Sequence, residues 1–566
     1  MSDMEKTMEL GMNPYDRLIE QPVSDVRANR TLAMKKELDV PENEKPSKAQ
    51  PVKPVEVIPI SDKAIFNNMS LRELGALHKI TLELEEDLLV PDTEPDMETV
   101  LNTEGHIDSI SFQSVDNGGI IKGEASLEIM YRAADEYNDK IIVIPGKVSF
   151  KKEWVDSFTE NTDIKIWASI DKIECRIINE RKYRVKIYIN VNAREIINQE
   201  RKMFEGIRDE QLEFMREKVE VLRVLYSRYR ETEVKENLQI DNDKIKPLKI
   251  IKSSFLISEN HRQLTADRLV INSTIWVRIL YIAELASQSG LTSQPMLYTG
   301  KIDNTQFLPI KGDQNATSCG IRMDVKDIKA TINESFDGFS IEGTVNTEID
   351  FYELVEREIV TDFYNLNDDM ACDNKEETVC CGVETKIKEK TIKDSIDFKE
   401  NVIDLEKIIF TEAYTTDIAL VENEIQGKLH MEVLTVAGGN KTSLAKKITE
   451  FAIPAENIKE NQYASDTKVS VREMTADIVG QNQLSIVVQL QAEMEICTEG
   501  RIRVISNPCI IREENSRRDY PIIIYTVKEK DTIWDIAKKY RVSADYIKEV
   551  NKIDNVSEGM KIVVAR

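Results

Sequence analysis

Apolar and polar residues alternate in three short stretches of this chain, and the stretches recur about every 150 residues. In ASLEIMY, Ala125, Leu127, Ile129 and Tyr131 share one face of a strand. In STIWVRILY that face holds Ile275, Val277, Ile279 and Tyr281, and in KLHMEVL it holds Leu429, Met431 and Val433. A longer alternation follows each: Tyr183, Val185, Ile187, Ile189 and Val191; then Phe339, Ile341, Val345 and Ile349; then Leu484, Ile486, Val488, Leu490, Met494 and Ile496. Shorter related strands, IWASIDKIE, IRMDVKDIK and VSVREMTAD, precede them. Such strands belong to antiparallel sheets with one buried face, and junctions such as DNGG (Asp116–Gly119) suit hairpin turns.

The chain is therefore expected to be mainly β. Three successive antiparallel all-β domains, sandwich-like or barrel-like, occupy residues 74–200, 221–360 and 384–500. Met203, Phe204, Ile207, Leu212 and Met215 have helical spacing, which predicts a helical bridge over 201–220. Residues 361–383 are expected to be an acidic linker that carries Cys372, Cys380 and Cys381. Residues 1–70 form a separate segment, with some helix near Tyr15–Asp39 and a Pro-, Lys- and Glu-rich linker over Val40–Ser61.

A chain of 566 residues is too long for one core. Its net charge of −25 argues against nucleic-acid binding, because an acidic body repels phosphates. The N-terminus places acids where a signal peptide would have Lys or Arg, so no secretion signal is expected. No apolar run approaches the roughly 20 residues that a membrane helix needs, so no membrane insertion is expected either. The seven cysteines do not form a disulfide framework, which fits a reducing cytosol.

Candidate chemistry is sparse. His78, His106, His261 and His430 are scattered, and His430 lies on a strand facing away from the apolar set. The Cys372, Cys380, Cys381 group lacks the second close pair that a zinc site uses. AGGNKTS (Ala437–Ser443) has Asn440 and Thr435 where a phosphate loop needs glycines. No catalytic residue, cofactor or metal site is expected. An enzyme assembled from distant carboxylates is a third possibility, and it would need a deep cleft with converging acids.

Residues 523–566 read strand, helix, helix, strand. Thr532 with Asp535 makes a helix-capping pattern. Ile533, Ile536, Ala537 and Tyr540 repeat at helical spacing with Trp534 beside them. Ser543 is a second N-cap, with Ile547 and Val550 inward. On Tyr525, Val527, Asp531, Thr532, Ile536, Ala537, Tyr540, Val542, Asn551, Gly559, Ile562 and Val564, this segment resembles the LysM domain. The resemblance implies a shallow groove for N-acetylated glycan between two loops. By position the groove involves Lys530, Asp531, Thr532, Ile533 and Trp534 with Ile553, Asp554, Asn555 and Val556. Lys530 and Arg541 stand where LysM domains commonly have glycine, which departs from the glycan-binding pattern.

LELEEDLLVPDTEPDMETVL (Leu82–Leu101), IIKGEASLEIMYRA and IWASIDKIECRIINERKYRVKIYINV resemble the SPOCS domain of spore-coat proteins. The second and third copies keep the strands without the VPDxxPD signature. SPOCS repeats joined to a C-terminal LysM domain resemble the SipL type of spore-coat morphogenetic protein. That resemblance implies a non-enzymatic scaffold in the mother-cell cytoplasm, at the forespore surface. Its partners would be the coat-basement ATPase SpoIVA, bound through the LysM domain, and other spore-coat proteins. Peptidoglycan binding at cortex or wall is the alternative.

Overall fold

The computed structural model describes residues 56–60, 62–115, 118–134, 140–159, 162–208, 211–242, 244–287, 290–310, 315–398, 405–437, 441–455, 458–480, 482–512 and 522–565. The helix expected near Tyr15–Asp39 lies outside them. The end of the Pro-rich stretch is strand β1 (Glu56–Pro59). Residues 55–566 form one compact unit.

Three copies of a six-stranded unit follow. The first comprises β2 (Ala64–Leu89), β3 (Met97–Val115), β4 (Gly118–Ala133), β5 (Ile141–Val155), β6 (Thr162–Asn179) and β7 (Lys182–Ile207). The second comprises β8 (Leu212–Gln239), β9 (Ile245–Leu264), β10 (Arg268–Ser287), β11 (Gly290–Pro309), β12 (Ser318–Ile332) and β13 (Gly338–Asn365). The third comprises β14 (Asp369–Asp397), β15 (Leu405–Val421), β16 (Glu424–Ala437), β17 (Lys441–Pro454), β18 (Gln462–Val479) and β19 (Gln483–Arg512). In every copy the middle three strands form an antiparallel meander, while the last strand lies between the first and the fifth. The chain ends in β20 (Ile522–Thr526), α1 (Ile533–Tyr540), α2 (Ala544–Asn551) and β21 (Lys561–Ala565).

The two sheets of each copy face each other across one core. In the first, Leu82 and Val185 from one sheet meet Ile129 and Ile144 from the other. The alternating faces read from sequence supply these buried positions: Ile129, Tyr131, Ile187, Val277, Ile341, Met431 and Leu490 are almost wholly inaccessible. The hairpin after β3 needs its glycine. Gly118 has φ +152, and a Cβ there would stand 2.1 Å from the Trp154 carbonyl oxygen.

The VPDTEPD segment joins β2 to β3 and wraps around one cation. Arg181, in the turn before β7, donates to the carbonyls of Val90, Pro91 and Glu94 and to the Asp96 carboxylate. Tyr131 closes the loop from below by donating to the Pro95 carbonyl at 2.7 Å.

The first and last strands of each copy continue beyond its sandwich and pack together as a common stem. Phe204 and Ile207, Val360 and Phe363, and Ile505 and Ile510 share one apolar layer, one pair from each copy. Leu71 and Met203, Val221 and Ile359, and Val379 and Ile502 share the next. The helix expected over 201–220 is therefore strand, the end of β7 and the start of β8. Met203 and Phe204 are adjacent yet both buried, because they face different layers of the stem. A bulge opposite Phe66 also breaks the period of two, so the apolar spacing imitates a helix. Residues 361–383 are likewise not a linker: β13 runs to Asn365 and β14 begins at Asp369. Residues 64–70, expected in the N-terminal segment, lie in β2.

Where the copies meet, charges pair. Lys165 of the first copy bonds Asp350 of the second at 2.6 Å, Arg322 reaches the same carboxylate at 3.0 Å, and Ser227 donates to it at 2.6 Å. Arg194 of the first copy meets Glu495 of the third at 2.7 Å. Burial alone would raise the Asp350 carboxyl, but Lys165 and Arg322 outweigh it and hold the group below its ordinary 3.8. Its stabilisation is present above the unfolded value and is lost as pH falls through the folded one. Asp350→Asn should cost about 2 kcal/mol at neutral pH, because it takes one of two carboxylates from the mostly buried Lys165 and leaves Glu348, at 2.8 Å, as its remaining ion-pair partner. Urea unfolding of the two proteins should differ at pH 7 and converge as the pH drops from about 4 towards 2.

Candidate functional site

The C-terminal module is built by local chemistry that the sequence displays. Thr532 Oγ1 accepts from the Asp535 amide at 3.1 Å while the Asp535 carboxylate accepts from the Thr532 amide at 3.2 Å, which starts α1. Asp531 accepts from Tyr525 Oη at 2.7 Å and from the Lys528 amide at 2.8 Å. The Tyr525 bond, followed by the amide bond, holds the Asp531 carboxyl below its ordinary range. Ser543 is the N-cap residue of α2, without a side-chain cap bond. Asn551 has a role that spacing did not display. Its carboxamide both donates to and accepts from the Val563 backbone at 2.7 Å, tying α2 to β21. Val550, expected inward, is 41% exposed, and Ile547 is buried on α2 with Ala544 packed against the same core.

Two of the nine loop residues are not surface residues. Ile533 is buried in the module core. Trp534 turns away from the loops: its Nε1 donates to Asp362 at 2.8 Å, and its ring packs edge-on against Tyr364 at 4.9 Å. It belongs to a joint with the body, and its core-like spacing in α1 concealed that contact. Lys530, Thr532, Asp554 and Asn555 are exposed, while Asp531, Ile553 and Val556 are half-buried. Val527 donates to Met560 at 2.8 Å and accepts from Gly559 at 2.9 Å. These bonds tie the chain entering the first loop to the chain leaving the second.

The positions that depart from the LysM pattern carry backbone strain. Lys530 has φ +69 and Arg541 has φ +55, as does Lys552 at +53, in the left-handed region that glycine occupies freely. Gly559, at φ +79, keeps the expected residue type. Arg541 gains a compensating contact: its guanidinium pairs with Asp369 and donates to the Asn367 carbonyl at 3.1 Å. Lys538 binds Asp362 at 2.6 Å, and Tyr364 donates to the Val542 carbonyl at 2.8 Å. Tyr364 thereby enters the module's own core. The turn between β13 and β14 thus holds one side of the module and leaves the two loops outside the joint.

A second concave region lies between the three copies, a cavity of about 2140 Å³. Its lining includes 15 Asp or Glu against 10 Lys or Arg, which disfavours anionic ligands. Acids converge at one end. Lys252, with no exposed side-chain surface, pairs with Glu104 at 3.1 Å and donates to Asn102, which donates in turn to Glu412. Burial and then Glu104 push the Glu412 carboxyl far up; burial also opposes ionisation of Glu104, but Lys252 overrides it and holds that group low. Each of these side chains is engaged by a neighbouring copy, as a seam would require. Among the described residues no group of three His, Cys, Asp or Glu side chains is placed to hold a metal ion, and no helix is long and apolar enough to cross a membrane. His430 sits on β16 stacked on Tyr414 and bonded to Thr416 at 2.9 Å. Ala437 ends β16 and Lys441 begins β17; the centre of AGGNKTS lies outside the described residues.

Asp362→Ala removes a partner from both Trp534 and Lys538 and should weaken the joint by about 1–2 kcal/mol. Hydrogen-exchange mass spectrometry should then show faster exchange in α1 with exchange in β4 unchanged. Lys530→Gly relieves the left-handed strain and should stabilise the module by up to about 1 kcal/mol. Arg541→Gly relieves similar strain yet loses the Asp369 pair, so α1 exchange should rise in that variant.

No curated protein and no solved structure matches the chain. Residues 525–565 match the LysM domain family, so the docked module is a LysM domain, a type consistent with peptidoglycan or other glycan binding and with protein interaction.

Proposed function

We propose that this protein is a non-enzymatic scaffold of the spore-coat type, in which a three-copy β body presents a LysM domain to a protein partner. The observation that carries this reading is the joint at Asp362, Tyr364 and Asp369, which couples the module to the body and leaves its loops available. Lys530 supports a protein ligand over a glycan. A long cation at a left-handed position projects charge where glycine would let a sugar approach the backbone. From Lys528 to Arg566 the module carries nine Lys or Arg against seven Asp or Glu, a small positive balance beside an acidic body. That contrast favours one orientation of an acidic partner surface and weakens with salt.

The resemblance of the first copy to SPOCS domains, with a terminal LysM domain, extends the proposal. The partner is a SpoIVA-like coat ATPase, other coat proteins bind the β copies, and the site of action is the mother-cell cytoplasm at the forespore surface. The converging acids of the central cavity support a seam between copies, since Glu104 pairs with Lys252 and Asn102 links Lys252 to Glu412 across it. Peptidoglycan binding through the same loops is the competing reading, and it rests on the LysM match.

Affinity capture with the full-length chain from sporulating cells tests the proposal. The wild-type protein should retain the SpoIVA-like ATPase, and Lys530→Glu combined with Asp554→Lys should lose most of it, while purified peptidoglycan sediments without the chain. Co-sedimentation with peptidoglycan, together with no captured ATPase, would replace the scaffold reading by the glycan one.

A further inference from the structure

Five of the seven cysteines, Cys372, Cys380, Cys381, Cys497 and Cys509, lie on β14 and β19, the first and last strands of the third copy. The ladder between these strands has two bulges, between Ala371 and Asp373 and between Cys380 and Gly382. At the second bulge β14 carries one extra residue, Cys381, so Cys380 stands opposite Glu499, two residues along the same face from Cys497, which is opposite Val383. Cys497 is buried in one apolar layer of the stem, and Cys380 packs against that same layer. The other copies place Ile196 and Tyr352 in that layer, so a thiol pair there is peculiar to the third copy. Cys381 points elsewhere, with its sulfur against Gly500, where an added Cβ would stand 2.2 Å away.

We infer that Cys380 and Cys497 form an oxidant-sensitive site that closes into a disulfide and staples the stem strands of the third copy. The oxidant is hydrogen peroxide; Cys497 is 1% exposed and Cys380 is half-buried. The Cys497 thiolate attacks one peroxide oxygen, the O–O bond breaks, and the departing hydroxide takes a proton to become water. The Cys380 sulfur then attacks the sulfenic acid on Cys497. The S–O bond breaks, the hydroxide leaves with the Cys380 proton as a second water, and the S–S bond forms. Two thiols lose two electrons and one peroxide gains them.

Local chemistry assigns the order of attack. The neighbouring Cys380 thiol, opposed by burial and assisted by Ser465, pulls the Cys497 thiol below its ordinary range. The same pairing pushes Cys380 up, so it reacts second. The link would bridge residues far apart in sequence, and closing so long a loop restricts the unfolded chain strongly.

The test treats the full-length protein with hydrogen peroxide, alkylates the remaining thiols under denaturing conditions, and maps unreduced tryptic peptides by mass spectrometry. The peptides bearing Cys380 and Cys497 should be joined in wild type and in Cys381→Ser, and separate in Cys380→Ser and in Cys497→Ala. Cys380 and Cys381 share one tryptic peptide, between Lys375 and Lys386, so the Cys381→Ser protein assigns the sulfur. If Cys497→Ala fails to fold, the wild type and Cys381→Ser still decide. Peroxide-treated wild type without the joined peptides would overturn the inference, as would a link that survives Cys380→Ser and disappears in Cys381→Ser.

Discussion

Six strands of 26 to 30 residues each serve two cores at once, and the rest of the architecture follows from that constraint. An ordinary sandwich strand needs about six residues. Here the excess length leaves the sandwich and enters a stem in which all three copies bury side chains together. A strand cannot keep the same buried face in both places without bending. The two bulges in every first–last ladder provide the bend, near Phe66 and Leu74, near Tyr352 and Asp362, and near Asp373 and Gly382. The stem therefore exists only when three copies are present, and removing one would expose apolar residues of the other two.

The sandwiches were legible because each buries one face. Alternation at Tyr183–Val191 and Leu484–Ile496 names the core positions directly, and those side chains are inaccessible. The stem was illegible for the converse reason. Met203 and Phe204 are neighbours that point into different layers, so period two disappears just where both faces become interior. Composition misled in the same way over 361–383. Acids there read as a solvated linker, yet Glu377 and Glu384 flank the stretch from Val379 to Val383, whose two valines are buried. Long-range pairs such as Lys165 with Asp350 leave no local trace at all.

The LysM domain shows the opposite balance. Its caps, its core helix positions and its terminal strands were readable from short-range pattern, because a module this small is held by local rules. The departures Lys530 and Arg541 were also readable, and both occupy left-handed backbone. What pattern could not separate was Trp534 as core, groove or joint. Only the tertiary partner Asp362, far away in sequence, decides it.

The joint has a mechanical consequence for recognition. Asp362 and Asp369 flank a short turn that begins where β13 leaves the stem, so the module is fixed to the most constrained part of the body. Strain at Arg541 is retained because the same residue makes the Asp369 pair; a glycine there would relax the backbone and free the module. Among the described residues Lys530 has no such partner, and it sits exposed beside Asp531 with its strain uncompensated there. Under the proposed scaffold reading, this strained, exposed cation on a domain docked from its other side faces a ligand outside the chain. Its position makes that ligand's first contact electrostatic, and the docked geometry limits the directions from which it can approach.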